Sequence, residues 1–344
     1  MTTTVSRRAL IGGAALLVAS PAILRAQTRV LNLYSSRHYD TDEQLYSDFT
    51  KQTGITINRV EAEADPLLQR MRSEGANSPA DILVTVDAGR AERAREMGLL
   101  QPFTSEVLAT RIPASYRDPE GHWFGFSTRA RILVVSRERV PEGAIATYED
   151  LADPKWKGKV VNRSSTNVYN QSLTGAMLAA HGAEKTEAWC RGLVANFARP
   201  PRGGDRDQIK AVAAGEADIA VANTYYLGGL ALSDKAEDKD TVAKVRPLFP
   251  NQGDRGTHVN ISGAGIARQA KNLDAAKAYL EYLATPAAQR YFAFGNSEYP
   301  VVAGVEWPPV VKAWGTFKAD SLNARIFAAN NAEALKIMDR AGWK

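Results

Sequence analysis

Short apolar runs alternate with helical stretches from Val30 onward, and that order admits few folds. Val30–Tyr34 predicts a strand. Asp40 or Thr41 caps a helix through Leu45, Phe49 and Thr53, and Gly54 stops it. Ile55–Val60 predicts a second strand, and Asp65-Pro66 opens a helix ending near Gly75. Asp81–Thr85 is a nearly continuous apolar run, the mark of a strand covered on both faces in a parallel sheet. This βαβαβ order predicts an α/β lobe that binds ligands at the carboxyl ends of its strands. Gly125–Ser136 predicts a longer strand that crosses from one lobe to another. Strands at Lys159–Asn162 and Asp218–Ala222 then alternate with helices over Asn167–Ala180, Gln208–Ala214 and from Tyr225 to Leu232. His258–Ile266 predicts a returning strand, Asp274–Leu283 a helix, and the tail from Val310 is expected to be helical. At 344 residues the chain exceeds the roughly 250–300 residues that one hydrophobic core serves. Two lobes joined by two crossing strands are therefore expected. The cleft between them is where a small ligand sits, and hinge closure is the expected motion.

Residues 1–26 stand apart. Ser6-Arg7-Arg8-Ala9-Leu10 leads into an apolar run to Val18 and a small-residue end at Ala26, the pattern of a twin-arginine export signal. The run is shorter than the ~20 residues a membrane-spanning helix needs. This leader carries Arg7, Arg8 and Arg25 and no acid, so it supplies more than half of the net charge of +5. The rest of the chain is nearly balanced, which argues against a nucleic-acid partner. A single cysteine, Cys190, excludes an intramolecular disulfide, a zinc finger and an all-cysteine iron–sulfur site. With 44% hydrophobic and 24% charged residues, a disordered chain and a polytopic membrane protein are excluded too. Enzyme signatures are missing: no Gly-x-Gly-x-x-Gly follows a strand, and there is no His-Glu-x-x-His. Ser262-Gly263-Ala264-Gly265 is expected to bend the returning strand at the hinge. Glu63 and Asp87, near strand ends, are expected to be solvated loop carboxylates.

Three strand-to-helix junctions carry tyrosine: Arg37-His38-Tyr39, Asn167-Val168-Tyr169-Asn170 and Asn223-Thr224-Tyr225-Tyr226. All three belong on the face where ligands gather. Asn223 or Thr224 is expected to cap the helix that brings Tyr225 and Tyr226 together. Phenol titrates near ~10 and is neutral at pH 7. A hard trivalent cation reverses that balance by stabilising phenolate, and helix N-termini at Tyr169 and Tyr225 favour anionic oxygen. His38 adds one neutral nitrogen. The alternative is packing, since the chain has 12 tyrosines. Tyr34, Tyr46, Tyr148 and Tyr282 are read that way.

At these residues the sequence resembles a known family. Leu33-Tyr34-Ser35-Ser36-Arg37-His38-Tyr39, the stretch Ser73–Asp81, Asp153-Pro154-Lys155-Trp156-Lys157-Gly158 and Asn223-Thr224-Tyr225-Tyr226 together resemble the periplasmic ferric-iron-binding proteins of ABC importers. The resemblance covers nearly all of the chain from Leu31. It implies a two-lobed periplasmic binding protein fold of type II with a hinge between the lobes. The expected division is lobe 1 at 27–127 and 258–310, lobe 2 at 128–257, and a C-terminal helical segment at 311–344. The resemblance implies Fe³⁺ as the transported ligand, held by Tyr39, Tyr169, Tyr225 and Tyr226 with His38. It further implies a periplasmic monomer that hands its cargo to a membrane permease and catalyses nothing. A synergistic anion is left open. One departure is Gly229, where relatives often have an arginine three residues after the second tyrosine. Four phenolates around Fe³⁺ leave one net negative charge, and Arg37, Arg129, Arg163, Arg202 and Arg206 are candidates to offset it. Arg37 and Arg129 come first, because they flank the ligand loop and the hinge. The competing reading is an organic or oxyanion solute on the same fold, with the tyrosines stacking or hydrogen-bonding.

Overall fold

The computed structural model describes residues 1–2, 29–37 and 39–344. The expected export signal, but for its first two residues, and His38 lie outside the described residues. Among the described residues nine strands form: β1 (Val30–Ser35), β2 (Thr56–Glu61), β3 (Ile82–Thr85), β4 (Phe124–Ser136), β5 (Val160–Val161), β6 (Ile219–Asn223), β7 (Val245–Leu248), β8 (Val259–Ile266) and β9 (Tyr299–Pro300). Their order is β2-β1-β3-β8-β4-β6-β5, with β7 and β9 paired to β4. β1 runs parallel to β2 and β3, and β5 runs parallel to β6. Each parallel pair is joined through helices, as parallel strands require. Between the two parallel groups lie β8 and β4, antiparallel to each other.

β4 is the strand that crosses. Its residues from Phe124 to Ala130 pair with β8, and those from Arg131 to Val135 pair with β6. All of its residues are buried, because both faces are covered at both ends. Alternation along the strands assigns those faces. Leu31 and Leu33 pack with Phe49, Ile82 and Leu280, while Tyr34 and Leu83 pack on the opposite side with Leu68 and Trp123. In the other group Leu133, Ile219 and Val221 pack with Trp156 and Met338, while Ile132, Val134, Ala220 and Ala222 pack with Ile209.

Local differences from the expected elements have physical reasons. The helix expected from Gln208 begins at Asp205, because the Asp207 carboxylate accepts from the Gly204 N–H at 2.6 Å and starts the turn before the apolar pattern begins. The strand expected at Lys159–Asn162 is only Val160–Val161. The tail is not one helical stretch. Helices Pro309–Lys312, Ala324–Ala329 and Asn331–Arg340 are separated by irregular chain, with Gly315 at φ 81° after the first. Helices Ala183–Ala195, Ala236–Lys244 and Pro286–Asn296 were not expected. Among the described residues, no helix is long and apolar enough to cross a membrane.

Candidate metal centre

The three tyrosine junctions meet where β1, β6 and the loop after β5 end. After β1, Ser35 folds the loop back on itself: its Oγ accepts from the Arg37 N–H at 3.0 Å and donates to the Arg37 carbonyl at 2.7 Å. The Arg37 guanidinium then lies 4.6 Å from the Tyr39 ring centre. Asn167 caps the helix Val168–His181 by accepting from the Tyr169 N–H at 3.2 Å, so Tyr169 sits in the first turn. The helix Thr224–Ala231 starts directly after β6 and places Tyr225 and Tyr226 in its first turn. Asn223 stands at the cap position without giving a side-chain cap. Its amide oxygen accepts instead from Arg131 at 3.2 Å, and its N–H donates to Asp205 at 2.8 Å. The Thr224 hydroxyl oxygen accepts from the Ala130 N–H at 3.3 Å, tying this helix to β4.

The Tyr225 hydroxyl donates to the Tyr169 hydroxyl at 3.0 Å, and the Tyr225 and Tyr226 rings are 4.3 Å apart. Tyr39, Tyr169 and Tyr226 line a cleft of about 530 Å³, with Glu63, Asp65 and Arg90 on its rim. Tyr225 is 4% exposed. Burial pushes the Tyr39 phenol up and the Tyr169 and Tyr225 phenols well up. Each also feels its neighbours: Tyr226 raises Tyr39, and Tyr39 and Tyr226 raise both Tyr169 and Tyr225. Without a cation Tyr39, Tyr169 and Tyr225 therefore stay neutral. Among the described residues, no group of three His, Cys, Asp or Glu side chains is placed to hold a metal ion. The donors gathered here are phenol oxygens, which suit a hard cation able to displace their protons.

Cations surround the tyrosines. Arg129, Arg131 and Arg163 lie 5.6, 5.8 and 5.8 Å from the ring centres of Tyr225, Tyr169 and Tyr169 respectively. Arg206 lies 5.9 Å from that of Tyr226. Arg202 points away, with a 72% exposed side chain paired to Glu216. Arg37 and Arg129 are both buried and share one carboxylate, Glu298. Arg37 also pairs with Asp42 at 2.8 Å, and Arg129 donates to Ser262 at 2.6 Å and to the Val86 carbonyl at 2.9 Å. Burial alone would raise the Glu298 carboxyl, but the two guanidiniums outweigh it and hold it below its ordinary value. Arg131 pairs with the buried Asp205 at 2.5 Å and donates to Asn170 at 3.0 Å.

Sequence reasoning missed Arg131, Asp205 and Glu298. Arg131 carried a signal, since Arg129 and Arg131 are two apart on an apolar strand and must share one face. Glu298 carried none, because it reaches Arg37 from 261 positions away. Asp87 is not a solvated loop carboxylate. It is 1% exposed and accepts from Ser172 at 2.8 Å, Asn260 at 2.6 Å and the Arg90 N–H at 3.2 Å.

An interlobe cleft on a sheet of this order, with strands crossing beneath it, defines a two-lobed binding protein of the periplasmic type. The chain belongs to the bacterial extracellular solute-binding proteins, whose family model matches residues 44–319. It is 50% identical to iron uptake protein A2 of Synechocystis sp. over 351 aligned positions, covering 100% of both chains. It is 26% identical to the major ferric iron-binding protein of Neisseria meningitidis, covering 96% of this chain and 97% of that one. A Trichodesmium protein, FutA (IdiA), solved in complex with iron and citrate ligands, superposes with a TM-score of 0.89 at 55% identity, covering 92% of this chain and 100% of that one. The family consists of solute-binding proteins and not of enzymes.

Proposed function

We propose that this protein captures ferric iron outside the cytoplasm and delivers it to the membrane permease of an ABC importer. The observation that carries the reading is the meeting of Tyr39, Tyr169, Tyr225 and Tyr226 from three junctions at one cleft. Those four phenolates, with His38 as a further ligand, hold the metal. The likeness to an iron uptake protein over the full chain supports the cargo. Residues 27–127 with 258–310 form one lobe, 128–257 form the other, and 311–344 form the C-terminal segment. Tyr39 then comes from the first lobe and the other three from the second, so binding closes the cleft. The protein works as a monomer in the periplasm and is exported by the twin-arginine route.

The chemistry follows from the neutral phenols. Each phenol that ligates Fe³⁺ gives up its proton, so capture releases protons and acid reverses it. Buried Arg37 and Arg129 cannot move to meet the cargo, because Glu298 fixes both. Their charges are balanced by Glu298 and Asp42, while their guanidiniums stand 4.6 and 5.6 Å from the ring centres of Tyr39 and Tyr225. Metal analysis and the visible spectrum of the purified protein test the reading. Ferric iron on phenolate gives an intense visible band. An organic or oxyanion solute gives none, and that outcome would move the assignment to the competing class.

A further inference from the structure

Resting on that reading, we propose that Arg206 is a second charge partner of the Tyr226 phenolate, beside Arg163, and tunes how tightly the site holds a trivalent cation. Arg206 is the second residue of the helix Asp205–Ala213. A cation in the first turn of a helix opposes the macrodipole, so helix stability does not explain it. No carboxylate forms an ion pair with it among the described residues. Its neighbours are engaged elsewhere: Asp205 holds Arg131 and Arg163, and Asp207 accepts from the Gly204 N–H. What Arg206 does meet is the Tyr226 ring, 5.9 Å from its centre.

Gly229 makes that reach possible. A Cβ built there would stand 3.1 Å from Arg206 Nη2, and no other atom outside its local backbone lies within 4 Å. The guanidinium thus uses the space that a side chain at 229 would fill. The groups facing Tyr226 are Tyr39, Tyr169, Tyr225, Arg163 and Arg206. Arg163 hydrogen-bonds Tyr226 as well, but it is also 3.5 Å from Asp205, so part of its charge is already met and Arg206 adds a second cation. Arg206 is exposed and unpaired by carboxylate. Its contribution is therefore screened by salt, unlike that of the buried arginines.

The test uses the exported protein, with Arg206→Gln, Arg206→Lys and Gly229→Leu variants. Ferric affinity is measured by citrate competition at low and at high salt, together with the position of the visible band. Near-surface cation–ring attraction of this kind is worth a factor of about two to five in binding. Arg206→Gln is expected to lose about that factor at low salt and to match the parent at high salt. Its band moves to lower energy, since a phenolate without its cation gives up charge to iron more easily. Arg206→Lys keeps part of the affinity. Gly229→Leu displaces the guanidinium and reproduces the glutamine variant with the helix intact. Parent-like affinity of Arg206→Gln at low salt, a loss that ignores salt, or an unmoved band would each overturn the proposal. Tyr226→Phe separates the two levels. If it binds like the parent, the phenolate site itself is wrong; if it binds weakly while Arg206→Gln is unchanged, only the role of Arg206 falls.

Discussion

Replacing Glu298 by glutamine removes one charge from a buried group of four. Arg37, Arg129, Asp42 and Glu298 each have side chains no more than 2% exposed, and their charges cancel. Glutamine keeps the shape and one acceptor, but leaves a net positive charge with no water to solvate it. Breaking a buried pair by removing one partner costs about 3–5 kcal/mol. The retained carbonyl can still accept from one guanidinium, so the low end, about 3 kcal/mol, is the expected loss. Against a total stability of roughly 5–15 kcal/mol that is a large share. The assay is urea unfolding of the metal-free protein near pH 7, comparing midpoints at an unchanged slope. The Glu298 carboxyl is held below its ordinary value. Its contribution is therefore present above the ordinary carboxyl range and disappears as pH falls through the lowered value. The parent and Glu298→Gln should converge in strong acid. A loss under about 1 kcal/mol at pH 7, or a difference that persists unchanged into acid, would refute the reasoning.

Other expectations follow from the same geometry. Lowering pH from neutral should release iron with proton uptake, because burial already favours protonation of Tyr39, Tyr169 and Tyr225; a visible band that survives strong acid would remove phenolate from the account. A His38→Ala variant should lose part of that pH dependence and still bind through the tyrosines, which a titration of the same band reads directly; a curve identical to the parent's removes His38 from the ligand set. Small-angle scattering should give a smaller radius with iron than without, since the proposed division puts Tyr39 on one lobe and the other three tyrosines on the other; an unchanged profile contradicts closure. Cys190 is buried, and burial pushes its thiol up to about 12, so alkylating reagents should leave it unmodified at pH 8 until the protein unfolds.

Much of the frame was legible because it rests on local periodicity. Apolar runs such as Ile82–Thr85 and Ile219–Asn223 identify themselves as strands buried on both faces. β4 is long enough to show that it serves two groups of strands. The tyrosine junctions were legible for the same reason: strand ends and helix starts are local, and the residues between them are few. Helices such as Ala183–Ala195 and Pro286–Asn296 were harder, because they follow their predecessors after one or two residues, with only Gly182 and Thr285-Pro286 to mark the breaks. The buried ionic groups beside the tyrosines were not legible. Glu298 meets Arg37 and Arg129 only after the chain has returned through β8 and two helices. Asp205 meets Arg131 and Asn223 only once its own helix has packed on β6. Those pairings are set by tertiary packing, and no spacing in the sequence encodes them.

The central claim is that phenolate oxygens from these tyrosines hold ferric iron. The direct measurement is ferric titration, followed by the visible band, of the parent beside Tyr225→Phe, Tyr226→Phe and Tyr169→Phe. Phenylalanine keeps each ring and deletes only the donor oxygen, so the fold should survive; in Tyr225→Phe the lost hydroxyl bond to Tyr169 costs only about 1 kcal/mol. The account predicts an intense band in the parent and, in each variant, a weaker or shifted band with affinity reduced at least tenfold. Three variants that bind iron like the parent with the parent's spectrum would contradict it.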